Sequence, residues 1–346
     1  EKPKKIESRV ESAKPAPKDF KKYVLPLGGF LILVALFILF SRKDQTFPGA
    51  AEPTNITPTA TPAPTPTEEN LEPMGKIVFT CQVDKQMNHD QICVINADGS
   101  GLRQLTDDLR FEHYYASFST DGSEIVFASS LPERRGFNIY MMNEDGSNLR
   151  QLTSGMGDFY APALSPDGRY IVATRHLSGK NFITLLSRDG EFLQDLNSYH
   201  DCKDPVWSPD GSELLFAANP NRSNIQFYVM NKDGGNVRQI TAMDGIRGRC
   251  DWNLDGIMAS YTGEASDHNR ELFLFGKSQT PKLITDGGDN LAPSFSPDGK
   301  WIVFTSYRDD FWDPDGCEIY IMRLSDGDTR RLTNYDYCDY QPVWGP

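Results

Sequence analysis

The stretch Ala292–Thr333, APSFSPDGKWIVFTSYRDDFWDPDGCEIYIMRLSDGDTRRLT, decides the fold. It reads as four short strands. Pro293–Phe295 leads into the turn Ser296-Pro297-Asp298-Gly299, and Trp301–Ser306 follows as an alternating apolar run. Glu318–Arg323 is a second such run, and Arg330–Thr333 closes the unit after the turn Ser325-Asp326-Gly327-Asp328. Proline presets φ at the second turn position and glycine accepts a positive φ further on, so Pro-Asp-Gly between β-branched and aromatic runs has a mechanical reading.

The unit repeats. Its first turn recurs at Ser119–Gly122, Ser165–Gly168, Ser208–Gly211 and Asn253–Gly256, and its last strand ends at Thr106, Thr153, Asn197, Thr241, Thr285 and Thr333. Those ends lie 47, 44, 44, 44 and 48 residues apart. Four strands at that period make a propeller blade. Six closing strands stand against five complete opening turns, because the first unit starts abruptly at Gly75-Lys76-Ile77-Val78-Phe79. The chain ends Gln341-Pro342-Val343-Trp344-Gly345-Pro346, which parallels Asp204-Pro205-Val206-Trp207-Ser208-Pro209. The sequence therefore predicts an all-β, six-bladed propeller over residues 75–346, whose C-terminal strand supplies the missing inner strand of blade one and removes the sheet edge at the seam.

Ser-Pro-Asp-Gly, the Ile-Tyr-x-Met strands at Ile139–Met142 and Ile319–Met322, the second Asp-Gly turn and the Arg-x-Leu-Thr ending together resemble the WD40-like repeat family of TolB-type β-propellers. The resemblance covers about 270 residues and implies the fold. It is to the family rather than to TolB itself, and it says little of function, since propellers serve binding, scaffolding and several chemistries.

Ahead of the repeats, residues 1–22 read as a disordered basic tail. Residues 23–40, YVLPLGGFLILVALFILF, carry no charge, and residues 41–74 form a stalk rich in Pro and Thr. Eighteen residues at about 1.5 Å each span roughly 27 Å, enough for a single transmembrane helix. Ser41-Arg42-Lys43 makes a poor signal-cleavage site. Eight basic residues precede the span, which places the N-terminus in the cytoplasm and the propeller outside. The chain begins at Glu1, so a sensor whose cytoplasmic signalling module lies upstream is one reading.

Net charge is −13, and residues 1–43 contribute ten bases against four acids, leaving −19 for the rest. That acidity argues against a nucleic-acid partner. Strand order places the variable loops and blade-to-blade connections on one face, the top. The residues that open the inner strands, Tyr115, Tyr160, Asp204, Arg249, Asn290 and Tyr340, are expected to line a funnel at the axis there, with His200 close by. Such a mixture suits a protein, a peptide or a glycan.

All six cysteines also map to the top. Six allow fifteen pairings. The favoured set is Cys81–Cys338 across the seam, Cys202–Cys250 and Cys93–Cys317, and the rival is Cys81–Cys93 with Cys317–Cys338. His113, His176 and His200 with Asp201 and Asp204 are weak candidates for a divalent-cation site. The acidic, aromatic loop Arg308–Gly316 is a weaker one for calcium. Asn55-Ile56-Thr57 and Asn221-Arg222-Ser223 match the N-glycosylation pattern. No Gly-x-Ser-x-Gly elbow occurs, which speaks against the propeller-plus-hydrolase arrangement. Two functions follow as expectations: a membrane-anchored extracytoplasmic binding or scaffolding propeller without a catalytic residue or cofactor, and a carbohydrate-active enzyme, a glycoside hydrolase or a metal-dependent polysaccharide lyase, using the funnel.

Overall fold

In the computed structural model each Ser-Pro-Asp-Gly turn closes in the same way. The glycine N–H donates to the carbonyl of the leading serine at 2.9 Å for Gly122, and at 2.8 Å for Gly168, Gly211 and Gly299. The serine hydroxyl donates to the turn aspartate at 2.6 Å and accepts the N–H five residues on, as when Ser119 takes Glu124 at 3.0 Å. One side chain therefore binds both sides of the hairpin, which explains the serine. The closing threonine has an equivalent task. Its Oγ1 accepts a backbone N–H from the third strand, at 2.9 Å for Ile92→Thr106, Ile139→Thr153 and Ile319→Thr333. The outermost strands are accordingly short: Arg103–Gln104, Arg150–Gln151 and Arg238–Gln239 pair over two residues, and the threonine hydroxyl continues the ladder beyond them. Short outer strands leave little open edge.

The structure describes residues 72–346 apart from 85–88, 132–133, 197–200, 221–223, 264–267, 278 and 310–315; the side chains of 131–135 are also left aside. The basic tail, the apolar stretch 23–40, nearly all of the stalk, Asn55, Asn221, His200 and most of the acidic blade-six loop lie outside the described residues. Among the described residues no helix is long and apolar enough to cross a membrane.

Six four-stranded antiparallel sheets form the blades. Their inner strands are Glu112–Phe118 in blade two, Asp158–Leu164 in blade three, Cys202–Trp207 in blade four, Asp251–Trp252 in blade five and Asn290–Phe295 in blade six. Blade one takes Asp339–Gly345 from the end of the chain. That strand pairs with Lys76–Asp84 in the register Lys76↔Gly345, Ile77↔Trp344, Val78↔Val343, Thr80↔Tyr340 and Cys81↔Asp339. The expected closure is thus present. Trp344 fastens it: its indole donates to Met74 O at 2.9 Å, and its backbone N–H donates to Ser294 Oγ of blade six at 3.1 Å. The core runs between neighbouring blades. Ile77, Phe79 and Ile95 of blade one pack on Trp301, Val303, Ile319 and Ile321 of blade six, and five further clusters continue around the ring.

The favoured disulfide set is corrected. The bonds are Cys81–Cys93, with Cα atoms 5.8 Å apart, and Cys317–Cys338, at 4.5 Å. The residue opposite Cys81 on the closing strand is Asp339. Cys338 lies one residue ahead of that strand, so the position opposite Cys81 is not its own. Cys93 faces Phe79 across the hairpin, on the same side as Cys81 and within reach. Cys317 is drawn to Cys338 because the Asp339 N–H donates to Cys317 O at 2.7 Å. Cys202 and Cys250 form no disulfide. Cys202 packs between blades three and four and Cys250 between blades four and five, on opposite faces of one sheet.

Cys317–Cys338 ties the blade-six sheet to the segment that enters the closing strand. Chain-entropy reasoning for its 21-residue separation gives about 3 kcal/mol. We expect the Cys317→Ser, Cys338→Ser double variant to lose about 2–3 kcal/mol of unfolding free energy in denaturant titrations; an unchanged midpoint would mean the bond carries no seam restraint.

Candidate binding site at the axial mouth

Each blade carries one residue in the left-handed region near the start of its inner strand, which in blade five lies two residues ahead of Asp251–Trp252. These are Tyr115 (φ 58°), Ala161 (46°), Asp204 (54°), Arg249 (37°), Ala292 (52°) and Gln341 (56°). Register shifts mark the same places, between Tyr114 and Ser117, Tyr160 and Ala163, Lys203 and Val206, and Leu291 and Ser294. None is glycine, and four precede proline, which itself opposes compact backbone conformations. A non-glycine residue held this way costs about 1–3 kcal/mol and persists only where the surroundings impose it.

The imposing contacts come from the preceding blade. The Tyr115 N–H donates to Gln341 Oε1 at 3.0 Å, the Arg249 N–H to Asp204 Oδ2 at 3.0 Å, the Asp204 N–H to Thr174 Oγ1 at 2.9 Å, and the Gln341 N–H to Thr305 Oγ1 at 3.2 Å. At these four positions the N–H leaves its own sheet and a side chain of the neighbouring blade receives it. The six left-handed residues, one per blade, recur around the ring.

Three of the expected funnel residues, Tyr115, Asp204 and Arg249, are themselves bulge residues and line the axial cavity. Tyr160 and Tyr340 sit one position before Ala161 and Gln341. They join Tyr114, Tyr115 and Phe137 in a continuous aromatic cluster: Phe137–Tyr160 centroids are 4.9 Å apart, Tyr114–Phe137 5.7 Å, Tyr115–Tyr160 6.5 Å and Tyr114–Tyr340 6.5 Å. The Arg249 guanidinium lies 5.3 Å over the Tyr115 ring. Asn290 is placed differently. It is wholly buried two residues ahead of its bulge, donating to Gly287 O at 2.9 Å and accepting from Arg308 at 3.0 Å. Ala292 holds the equivalent position.

Sequence reading missed Tyr114, Phe137 and Gln341. A signal for Gln341 was available: Ala161, Asp204, Ala292 and Gln341 each stand directly before proline, so that column marks the bulge. Phe137 belongs to the third strand of blade two, Arg134–Asn143, and no repeat pattern singles it out.

The electrostatics are mixed. Burial first, then the Asp204 charge, raises the Tyr115 hydroxyl, with Arg249 pulling the other way. Asp90 takes the Tyr114 hydroxyl at 2.7 Å, and burial raises its carboxyl above the ordinary range. The axial cavity below the mouth has a volume of about 90 Å³. Small-molecule pockets run to about 300–1,000 Å³, so the axial cavity is several times smaller than that range.

His200 of the histidine-centred cation site lies outside the described residues. Among the described residues no group of three or more His, Cys, Asp or Glu side chains is placed to hold a metal. His176 Nδ1 meets Asn181 Oδ1 at 2.8 Å, and that amide donates to Asp201 at 2.9 Å. His113 is 3% exposed, stacked on Phe111 and edge-on to Phe127. Burial pushes its imidazole down to about 4.

His113 supplies a pH test. The folded chain keeps the ring neutral down to about 4, whereas the unfolded chain takes up a proton near its ordinary value. Stability is therefore present above that value and lost as pH falls through the window. We expect the wild-type chain to lose about 2–3 kcal/mol more than His113→Phe between pH 7 and pH 4.5, by denaturant titration. Parallel losses in both would remove His113 from the account.

Residues 70–220 match the TolB beta propeller domain family. A Tol-Pal system protein TolB from Francisella tularensis subsp. mediasiatica is 33% identical over 190 residues, covering 54% of this chain and 42% of its own. A Protein TolB homolog from Chlorobium luteolum is 29% identical over 213 residues, covering 61% and 37%. The crystal structure of TolB from Acinetobacter baumannii superposes with a TM-score of 0.67 at 19% identity, over 79% of this chain and 67% of that one, a likeness of fold. The chain spans between 24% and 62% of the length of the curated relatives it matches. Over residues 70–220 the repeats of this chain are thus similar to those of the TolB β-propeller domain.

Proposed function

We propose that this chain is a membrane-anchored, extracytoplasmic propeller that binds a polypeptide partner at the aromatic mouth of its axis. The ring of six left-handed residues, one per blade, carries the reading. Strained backbone that several neighbours hold in place is a mark of functional sites, and here it surrounds the Tyr115–Arg249 pair and four further aromatic rings. Aromatic and arginine side chains dominate the energetics of protein interfaces. The small axial volume favours docking of a partner's side chain over turnover of an enclosed sugar, so binding stands ahead of carbohydrate chemistry. Glycan binding shares the aromatic surface and remains the comparison.

Two disulfides suit an oxidising compartment. The uncharged stretch 23–40, with its excess of basic residues upstream, supports an anchor with the propeller outside the cytoplasm, and the 41–74 stalk would hold the ring off the membrane.

A photo-crosslinking residue at Tyr160 or Tyr340, in intact membranes, should trap a protein. Arg249→Ala and Tyr115→Ala should weaken its capture by about 10- to 100-fold, the range of an interface hot spot, with circular dichroism unchanged. Recovery of glycan adducts alone, or equal capture by both variants, would contradict the proposal.

A further inference from the structure

A larger opening lies away from the axis. Blade one packs its Phe79 face on blade six, and toward the top this packing gives out. A crevice of about 360 Å³ opens there between Lys76–Asp84 and His89–Asn96 on one side and the connection that carries Tyr335 and Tyr337 on the other. Its volume is four times that of the axial cavity and falls within the range of ligand pockets. Phe79 and the Cys81–Cys93 disulfide line it, as do Tyr335, Tyr337 and Asp339.

Asp339 is unusual among these. It is 2% exposed, and its Oδ2 has no hydrogen-bond donor. The donors nearby are already committed to Glu318: the Arg331 guanidinium at 2.6 Å, the Thr333 hydroxyl at 2.5 Å and the Tyr335 N–H at 2.9 Å. Glu318 thus has its cation, and Asp339 has none. A buried carboxyl oxygen without a donor is costly, and a ligand that brings N–H groups and positive charge relieves that cost. The tyrosine rings at the mouth suit the same charge, since a cation is attracted to an aromatic face. The apolar wall suits a methylene stem. The chain's net charge of −13 favours a basic partner further.

We propose that the crevice between blades one and six is a second binding site, which takes a lysine or arginine side chain of a partner polypeptide, with its stem along Phe79 and the Cys81–Cys93 disulfide and its cationic head on Asp339. This site is independent of the axial mouth, and neither reading rests on the other.

The protonation of Asp339 supplies a readout that simple hydrophobic filling lacks. Burial first, then the Glu318 charge, push its carboxyl up to about 8, with Thr333 opposing. Glu318 and Arg331 are the charged groups packed beside it, and they pair with each other. At neutral pH the vacant carboxyl therefore holds a proton, and a cationic head arriving there displaces it.

The test uses the full chain in detergent and four probes: the acetyl-amides of lysine, arginine, norleucine and citrulline. Calorimetry at pH 6.5 in two buffers of different ionisation enthalpy measures both affinity and proton release. The charged probes should bind about tenfold or more tighter than their uncharged counterparts and release close to one proton. Whether lysine or arginine binds tighter identifies the head group. Asp339→Asn, which resembles the protonated acid in shape and charge, should keep the fold and lose both the preference and the proton release. Tyr335→Ala should weaken the charged probes severalfold. Equal binding of charged and uncharged probes, binding without proton release, or no binding at all would each overturn the proposal. Should Asp339→Asn fail to fold, the proton count on the wild-type chain decides the matter alone.

Discussion

The ladder between Asp339–Gly345 and Lys76–Asp84 is the constraint on which the ring depends. Without it the first blade has three strands, an exposed inner edge and no partner for the Phe79 face. With it, Trp344 stands in the core between blades one and six and contacts both through hydrogen bonds. Every other blade is local in sequence, a meander whose first turn is closed by its own serine, or by Asn253 in blade five, with aspartate and glycine. Closure is the one pairing that spans the whole propeller, with Lys76 opposite Gly345, and such distant pairing is slow to form because loop entropy must be overcome first. Both disulfides gather at this seam. One rigidifies the hairpin that receives the closing strand, and the other tethers the segment that delivers it.

Closure also organises the axis. Once six inner strands face one another, four of the six left-handed residues are held by the blade before them, and this includes the step from blade one to blade two through Gln341 and Tyr115. A gap at the seam would release that step and the Gln341–Thr305 step behind it. The aromatic cluster spans the same junction, because Tyr340 enters with the closing strand while Tyr114 and Phe137 belong to blade two. The mouth of the axis is therefore a product of the completed ring rather than of any one blade.

Much of this was legible in the residues. The turn chemistry of Ser296–Gly299 and its copies, the spacing of the Arg-x-Leu-Thr endings and the likeness of Val343-Trp344 to Val206-Trp207 were enough to read six blades and their closure. Site residues were legible only to within a position or two. The expectation took the residue that opens each strand, and the bulge moves the axial position to Ala161, Ala292 and Gln341. A bulge inserts a residue without changing the apolar pattern on either side, so periodicity alone does not reveal it. The rival disulfide set is the one found, and the favoured set failed for a related reason. Placing Cys338 beside Cys81 is right to within one residue, but the closing strand starts one residue later and sets Asp339 opposite Cys81. Asp339 now occupies the place assigned to the thiol, which is how a carboxyl comes to be buried at the seam. Arg-x-Leu-Thr was recognised as an ending, and its chemistry, a hydroxyl that accepts a third-strand N–H, emerged only from the coordinates.

Hydrogen exchange read by mass spectrometry on peptides covering 76–84 and 339–346 tests the closure most directly. If the ring is sealed, both peptides are protected as strongly as the blade-six strand Trp301–Ser306 and lose protection with it in a single cooperative step. Rapid exchange of both peptides, while blades two to five stay protected, would show an open array and contradict the closure on which the axial ring and the seam crevice both rest.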